Sequence, residues 1–198
     1  GAAALAAAVG VAFAIGAWRT NVAFRRVFAA VAVAGILIPP YFHAIAWTIL
    51  LTRAASASSD RLAAVLGLLH SPWGAVLVLA LAHLPYVILL TLSGLEGMDG
   101  RLEDAARLSR GPAGTLRGIT LPLLRPHVFC GATLVFILSV TDYGVPSLLG
   151  VNTYPMEVFI QFSAFFDEAK ATAAAVPMIL ICALLLAWQL RWMRQRPY

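Results

Sequence analysis

Charge is the scarcest property of this 198-residue chain. Only 12% of its residues are charged, whereas 61% are hydrophobic. Soluble domains are typically about half apolar and about a quarter charged. A soluble core could not bury this many apolar side chains, so the composition indicates a protein whose solvent is lipid. The net charge of +5 does not indicate nucleic-acid binding, because the arginines flank apolar segments rather than forming one basic face.

Cysteine and catalytic patterns are also scarce. The two cysteines, Cys130 and Cys182, lie in apolar segments, where a thiol behaves as a small buried side chain. The sequence has no CxxC pattern for a disulfide framework or a metal site and no GxxxxGK(S/T) loop for a nucleotide. It has no Ser/His/Asp spacing, and its four histidines are scattered over different segments. We therefore expect neither catalysis nor a metal or cofactor bound by this chain.

Five apolar segments are candidate membrane spans and predict an all-α membrane protein. Eleven of the fourteen basic residues fall in connections on one side of these spans, and three fall on the other. Cytoplasmic connections carry the excess of arginine and lysine, so the first end is predicted outside and the last end inside. Gly1 is not a natural start, and we expect a single domain that is a fragment of a longer protein. The predicted spans are 1–18, 27–51, 74–93, 127–140 and 174–192.

Small residues and prolines predict the packing of the first two spans. In the first span, small residues recur every four positions, and such a face lets membrane helices approach closely. An alanine-rich segment also gives this spacing by chance. In the second span, Pro39-Pro40 removes two backbone donors and forces a bend. The small face consists of Ala4, Ala8, Ala12 and Gly16.

Several polar or aromatic side chains are candidates for lining a pathway through the membrane. A histidine at membrane depth is costly unless it faces a pathway or forms a hydrogen bond between helices. Both interpretations remain open for the two histidines concerned. The candidates are Tyr41, His43, His83, Ser139 and Asp142.

Two connections are predicted to lie outside. Residues 52–73 are rich in serine and include a short interfacial helix at about 62–69. Residues 141–173 carry four acidic side chains against Lys170 alone. The apolar residues between Val158 and Phe166 fit an amphipathic helix at the outer surface.

The loop at about 95–126 is the longest segment without an apolar core suited to a membrane. Five of the fourteen basic residues lie within it, at 101, 107, 110, 117 and 125. Asp99 or Gly100 can cap a helix whose first turn holds two carboxylates, which favour the positive helix end. Gly111-Pro112 is predicted to end that helix and to start another, since proline suits a first helical position. Pro122 and Pro126 are expected to close the loop against the next span.

This loop resembles the EAA signature of the permeases of binding-protein-dependent ABC importers. The signature runs Glu-Ala-Ala, three residues, Gly, nine residues, Ile, one residue, Leu-Pro. Two positions depart from it: Asp104 replaces the first alanine, and Ser109 replaces the glycine, with Gly111 two residues later. We therefore expect the helix to continue to Arg110 and to end at Gly111. The matching residues are Glu103, Ala105, Ile119, Leu121 and Pro122.

The resemblance implies a five-span permease core of the bacterial inner membrane, or one half of a longer permease. The loop would be the coupling helix, seated in a cleft of a separate ATPase subunit that binds the ATP. Glu103 would pair there with a basic residue, and Asp104 would require a more basic cleft. Alternatively, Glu103 pairs within its helix with Arg107, which stabilises a helix by only about 0.2–0.5 kcal/mol. The coupling residues implied are Glu103, Asp104, Ala105, Ala106, Arg107, Ser109, Gly111, Ile119, Leu121 and Pro122.

The resemblance also implies partners and a class of substrate. The partners are ABC ATPase subunits, a second permease half or copy, a periplasmic substrate-binding protein and membrane lipid. The segment TDYGVPSLLG, residues 141–150, looks like the same region of ferric-iron importer permeases, with polyamine and phosphonate importers next. Asp142 would suit a cation at the outer boundary, or it would cap the chain before Gly144 and Pro146. The remaining alternative is a membrane scaffold whose basic loop recruits a cytoplasmic protein other than an ATPase.

Overall fold

The computed structural model describes residues 1–19, 25–57, 60–98 and 100–194, and these residues are overwhelmingly helical. This confirms the predicted all-α class. A π-helical turn, Leu116–Thr120, joins the sixth helix to the seventh. The α-helices are α1 (Ala2–Arg19), α2 (Arg25–Ile36), α3 (Pro40–Ala57), α4 (Asp60–Leu69), α5 (Pro72–Glu96), α6 (Gly100–Thr115), α7 (Leu121–Val140), α8 (Gly144–Leu148), α9 (Tyr154–Ser163) and α10 (Glu168–Arg194).

Helix α5 lies at the centre of the fold, with α1 and α7 as its main neighbours. Val87 of α5 is fully buried between two glycines of these neighbours. A Cβ at Gly10 of α1 would stand 2.9 Å from the Val87 Cβ, and one at Gly131 of α7 would stand 3.2 Å from the Val87 Cα. Small residues thus allow close contact between these three helices, as is common in membrane interiors.

The small face of α1 that packs inside the chain is not the one predicted. Ala4, Ala8, Ala12 and Gly16 are exposed, which corrects the sequence interpretation. The buried face lies two residues away and has the same period of four. It packs against α5, whose bulky residues determine which side of an alanine-rich helix is covered. The buried face consists of Ala2, Ala6, Gly10 and Ala14.

Three helices among the described residues are long and apolar enough to cross a membrane: Pro72–Glu96, Leu108–Val140 and Glu168–Arg194. A fourth span results if the pair Ala30–Ile36 and Pro40–Ala54 is counted as one broken span, bent by 102°. The break lies at the proline pair, as its missing backbone donors predict. The apolar helix Ala2–Trp18 is shorter.

The predicted loop at 95–126 is largely helical and continuous with the span that follows. The first two residues of the predicted loop, Leu95 and Glu96, belong to the end of α5. After a break at Gly111, the chain runs as one helix through the π-helical turn into α7. Pro122 lies in the first turn of α7 and Pro126 one turn later. The fourth span therefore begins well before residue 127, and Pro122 and Pro126 lie inside a continuous helix, directly after its π-helical turn.

The two connections predicted outside are also mostly helical. Helix α3 extends through Ala57, and α4 follows over Asp60–Leu69, so little of 52–73 is irregular. In the acidic connection, helix α9 ends at Ser163. Phe165 and Phe166 follow it and are exposed. The Tyr154 hydroxyl donates to the Ala174 carbonyl at 2.6 Å, which ties α9 to α10.

Candidate functional site

The helix at residues 100–110, called the rod below, presents an exposed apolar side chain in a polar segment. Leu108 is 91% exposed, whereas Ala106 is buried. Ser109 and Arg110 are exposed. Sequence reasoning singled out the charged residues of this segment and missed Leu108. The signal was present, since a leucine between Arg107 and Ser109 is out of place on a solvated helix face.

Four coupling candidates of the rod lie outside what the structure describes at side-chain level. Their backbone is helical, but the predicted Glu103–Arg107 pair and any role of the carboxylates stay predictions. Asp99, a candidate cap, also lies outside the described residues. The four candidates are Glu103, Asp104, Ala105 and Arg107.

Gly111 breaks the helix where the sequence predicted. Its φ of 69° and ψ of 173° lie in a region that is essentially restricted to glycine. Ser109, at the position where the signature has glycine, stays helical and donates from Oγ to the Ala106 carbonyl at 3.2 Å. Pro112 starts the next helical stretch. The Thr115 hydroxyl donates to the Gly111 carbonyl at 2.9 Å and so closes the break.

Arg110 crosses the break and lies against the helix that follows. A Cβ at Gly114 would stand 2.9 Å from the Arg110 Cβ, and one at Gly118 would stand 3.2 Å from its Nη1. The two glycines are one helical turn apart, so they form a shallow groove for the arginine side chain. This contact connects the rod to the membrane helix in addition to the backbone.

The later coupling residues lie where the helix enters the core. Ile119 lies in the π-helical turn, and Leu121 and Pro122 follow it; all three are half-buried. Leu124, one turn into α7, is fully buried against Leu92 and other residues of α5. The path from the rod to the centre of the fold is therefore one helix anchored by packed side chains.

Four of the five pathway candidates lie close together, at the broken span. His83 is 4% exposed, and its Nδ1 lies 3.4 Å from the Ser139 Oγ. Tyr41, His83 and Asp142 line a cavity of about 520 Å³ beside the α2–α3 break. His43 has a buried Nε2 without a hydrogen-bond partner among the described residues. The structure therefore places a polar cluster beside the bend between α2 and α3.

Asp142 acts as a cap. Its Oδ1 accepts a hydrogen bond from the Val145 backbone N–H at 2.9 Å, at the start of α8. Next to it, the Tyr143 ring stacks on Phe159 of α9 at 4.5 Å between centroids. These contacts favour the capping interpretation of Asp142 over a free carboxylate for a cation. The described residues contain no group of three His, Cys, Asp or Glu side chains placed to share a metal ion.

Comparison with known proteins yields a family match over almost the whole chain. The model of the family described as "Binding-protein-dependent transport system inner membrane component" matches residues 6–196. A probable molybdenum ABC transporter permease protein of Haloferax volcanii is 28% identical over 186 residues, which cover 92% of this chain and 68% of the relative.

Two shorter matches carry other substrate names. The spermidine/putrescine transport system permease protein PotC of Haemophilus influenzae is 31% identical over 64% of this chain and 51% of its own length. An Fe(3+)-transport system permease protein, FbpB 2 of the same species, is 23% identical over 57% of this chain and 22% of its own length. The chain thus spans from about two thirds to less than a quarter of these relatives.

Proposed function

Because the chain belongs to the family of binding-protein-dependent transport system inner membrane components, we propose that it forms the solute pathway of an ATP-driven importer. It is a multi-pass inner-membrane permease chain rather than a catalytic subunit. The observation that carries the proposal is the rod at residues 100–110, which exposes Leu108 and continues past Gly111 into a membrane span.

The partners follow from the family in general terms. ATP is bound and hydrolysed on separate ATPase subunits, and this chain holds no cofactor. A second permease half or copy completes the pathway, and lipid covers the remaining apolar surface. A substrate-binding protein docks on the outer side, on the acidic connection at 141–173. The scaffold alternative has no support from this family.

The rod acts as a lever in this proposal. The ATPase cleft receives Leu108 together with the carboxylates of Glu103 and Asp104. Closure of the ATPase subunits on ATP moves the rod, and the Arg110 contact with Gly114 and Gly118 passes the movement to the following helix. From there, buried packing around Leu124 transmits it to α5.

A molybdenum oxyanion such as molybdate is the proposed substrate, with a polyamine as the second candidate. The molybdenum relative supports this order, because its similarity extends over 92% of the chain. Ferric iron, the substrate favoured by the sequence interpretation, loses support on two grounds. The iron relative is only 23% identical and the match covers 22% of its own length, and the Asp142 Oδ1 already accepts the Val145 N–H as a cap.

The test is uptake into proteoliposomes that contain the full-length permease, its ATPase and its binding protein. Labelled molybdate, spermidine, ferric iron and 2-aminoethylphosphonate are supplied separately. We expect ATP-dependent uptake of molybdate and its loss in Glu103→Lys, with the protein still inserted. Uptake of spermidine alone would replace the substrate class, and uptake unchanged in Glu103→Lys would overturn the lever.

A further inference from the structure

Helices α7 and α10 meet through an aromatic cluster near the ends that are predicted to face the cytoplasm. The Phe129 ring of α7 lies 5.1 Å from the Trp188 ring and 5.4 Å from the Trp192 ring of α10, measured between centroids. Beside these rings, the Gln189 Nε2 donates to the Cys130 Sγ at 2.8 Å. The two helices are therefore packed together at this level, away from the rod and from the polar cluster at the broken span.

Two arginines flank the aromatic cluster on its predicted cytoplasmic side. Arg125 precedes Phe129 by four residues on α7, and Arg191 follows Trp188 by three residues on α10. Each arginine is thus one helical turn from its aromatic neighbour and on the same helix face. Both arginines are exposed, and neither has an ion-pair partner among the residues that the structure describes. Because Phe129 contacts Trp188 across the two helices, both guanidinium groups can reach the same edge of the cluster.

The surface around these arginines is apolar and lacks carboxylates. Helix α7 contains no aspartate or glutamate, and the only one in α10 is Glu168, at the opposite end of the helix. Leu180, Leu184 and Trp188 are 55%, 69% and 56% exposed. They recur every four residues and so form one apolar stripe on α10, which ends at Arg191. A stripe of this kind, ending in positive charge, matches an acyl chain that ends in a phosphate.

We propose that Arg125 and Arg191 together bind the phosphate of one anionic phospholipid in the cytoplasmic leaflet. A guanidinium group donates two parallel hydrogen bonds to phosphate oxygens, and basic sites between membrane helices recognise such headgroups. A zwitterionic headgroup brings its own cation next to the phosphate, and two arginines without carboxylate partners disfavour that cation. The acyl chain lies along the stripe from Leu180 to Trp188, which distinguishes the lipid from a free phosphate ion.

A second copy of this chain fits the same surface poorly. If two copies met through this face, arginines would oppose arginines, and neither α7 nor the adjoining part of α10 offers a carboxylate to neutralise them. Like charges held close together without compensation oppose association. Charge complementarity therefore favours an anionic lipid over a copy of the chain.

A lipid bound in this way bridges α10 and α7, the helix that carries the lever. This consequence rests on the proposed function, whereas the lipid site itself does not. The bridge keeps the two helices together while the lever moves, so we expect anionic lipid to raise the uptake per ATP.

The test measures contact with lipid by tryptophan fluorescence in vesicles. The full-length protein, with every tryptophan except Trp188 and Trp192 replaced by phenylalanine, is reconstituted into phosphatidylcholine. Increasing fractions of brominated phosphatidylglycerol or, separately, of brominated phosphatidylcholine are included. Bromine quenches the tryptophans that a labelled lipid contacts, so the two series give the preference for the anionic headgroup. We expect a preference of about 10-fold or more, which falls about fivefold in Arg125→Gln and in Arg191→Gln.

Arg117→Gln is the matched control, because it removes the same charge from an exposed arginine two helical turns before Arg125. It should leave the preference unchanged. Thermal unfolding shows whether each variant is folded, and one folded variant of the arginine pair is enough for the comparison.

Four results would overturn the lipid site. They are equal quenching by both lipids in the wild type, an undiminished preference in a folded Arg125→Gln or Arg191→Gln, an equal fall in Arg117→Gln, and no quenching by either lipid. The last result would show that protein covers this surface.

Uptake per ATP in vesicles with and without phosphatidylglycerol then tests the consequence for transport. A higher value with phosphatidylglycerol in the wild type, but not in Arg191→Gln, supports the bridge. Equal values disprove the bridge and leave the binding result intact, since quenching is measured without transport.

Discussion

At the scale of single residues, Leu108 carries the most direct prediction. Leu108 is 91% exposed on a polar helix. Its full burial against a partner would stabilise the complex by about 1.5–3 kcal/mol. Leu108→Asp should therefore weaken the affinity for the ATPase subunit about 10- to 100-fold. The measurement is co-purification and a binding isotherm with the ATPase.

The matched control is Leu68→Asp, at an exposed leucine of α4 on the side predicted to face outward. It should leave ATPase affinity unchanged. Equal affinities of Leu108→Asp and wild type would contradict a role of Leu108 in docking.

Asp167 provides a prediction about pH. The Lys170 backbone N–H donates to its Oδ1 at 2.9 Å, and the Lys170 Nζ lies 2.9 Å from its Oδ2. The backbone hydrogen bond first, and the ammonium group second, hold the pKa of this exposed carboxyl below its ordinary value. The ionised carboxylate therefore stabilises the start of α10. This contribution is fully present at a pH above the ordinary aspartate pKa, and it is lost as the pH falls through the lowered pKa.

The measurement is hydrogen exchange at the first amides of α10 between acidic and neutral pH. Asp167→Asn is the reference variant, because its side chain does not titrate. The intrinsic pH dependence of exchange is common to both proteins, so it cancels in the ratio of the wild-type exchange rate to the variant rate. We expect wild-type protection to fall only at a pH below the ordinary aspartate pKa. A constant ratio across that range would contradict the interpretation.

At the scale of elements, the Gly111 break is the feature that separates rod from span. Its backbone conformation costs a residue with a Cβ about 1–3 kcal/mol. Gly111→Ala should redirect or straighten the rod, so that ATP hydrolysis continues but uptake per ATP falls severalfold. Gly100 has open space around it and lacks the Gly111 backbone conformation. Gly100→Ala should therefore change neither the rate of ATP hydrolysis nor the rate of uptake. Normal coupling in Gly111→Ala would show that the break is dispensable.

The groove that holds Arg110 predicts a coupled pair of substitutions. Gly118→Val places a side chain where the Arg110 guanidinium lies, and Arg110→Ala removes that group. Each single variant should reduce uptake per ATP. Since both act on one contact, the double variant should be no worse than the more severe single one. Fully additive losses would mean that the two residues act separately.

The elements also show what the sequence could and could not predict. The break at Gly111 was predictable, because a glycine before a proline ends one helix and starts another. The proline-induced bend between α2 and α3 was predictable on similar grounds. The early start of the fourth span was not, because proline disfavours a helix interior. Pro122 and Pro126 therefore indicate a loop, whereas the helix continues through both.

At the scale of the whole molecule, composition was enough to predict an all-α membrane protein, but packing was not. The buried face of α1 could not be chosen from sequence, because two alanine stripes share one period and only α5 distinguishes them. The polar cluster brings His83 to Ser139, 56 residues later in the chain, and to the nearby Asp142, and no local pattern connects His83 with those two residues. The coupling segment was recognisable because its signature is local.

The central claim, that the rod is held by an ATPase, is tested most directly by crosslinking. A single cysteine at position 108, in a chain with Cys130 and Cys182 replaced by serine, is treated with a short bifunctional reagent in membranes that contain the whole transporter. We predict a crosslink to the ATPase subunit whose yield changes when ATP is bound. A crosslink to the periplasmic binding protein instead, or none to the ATPase in an assembled transporter, would contradict the account.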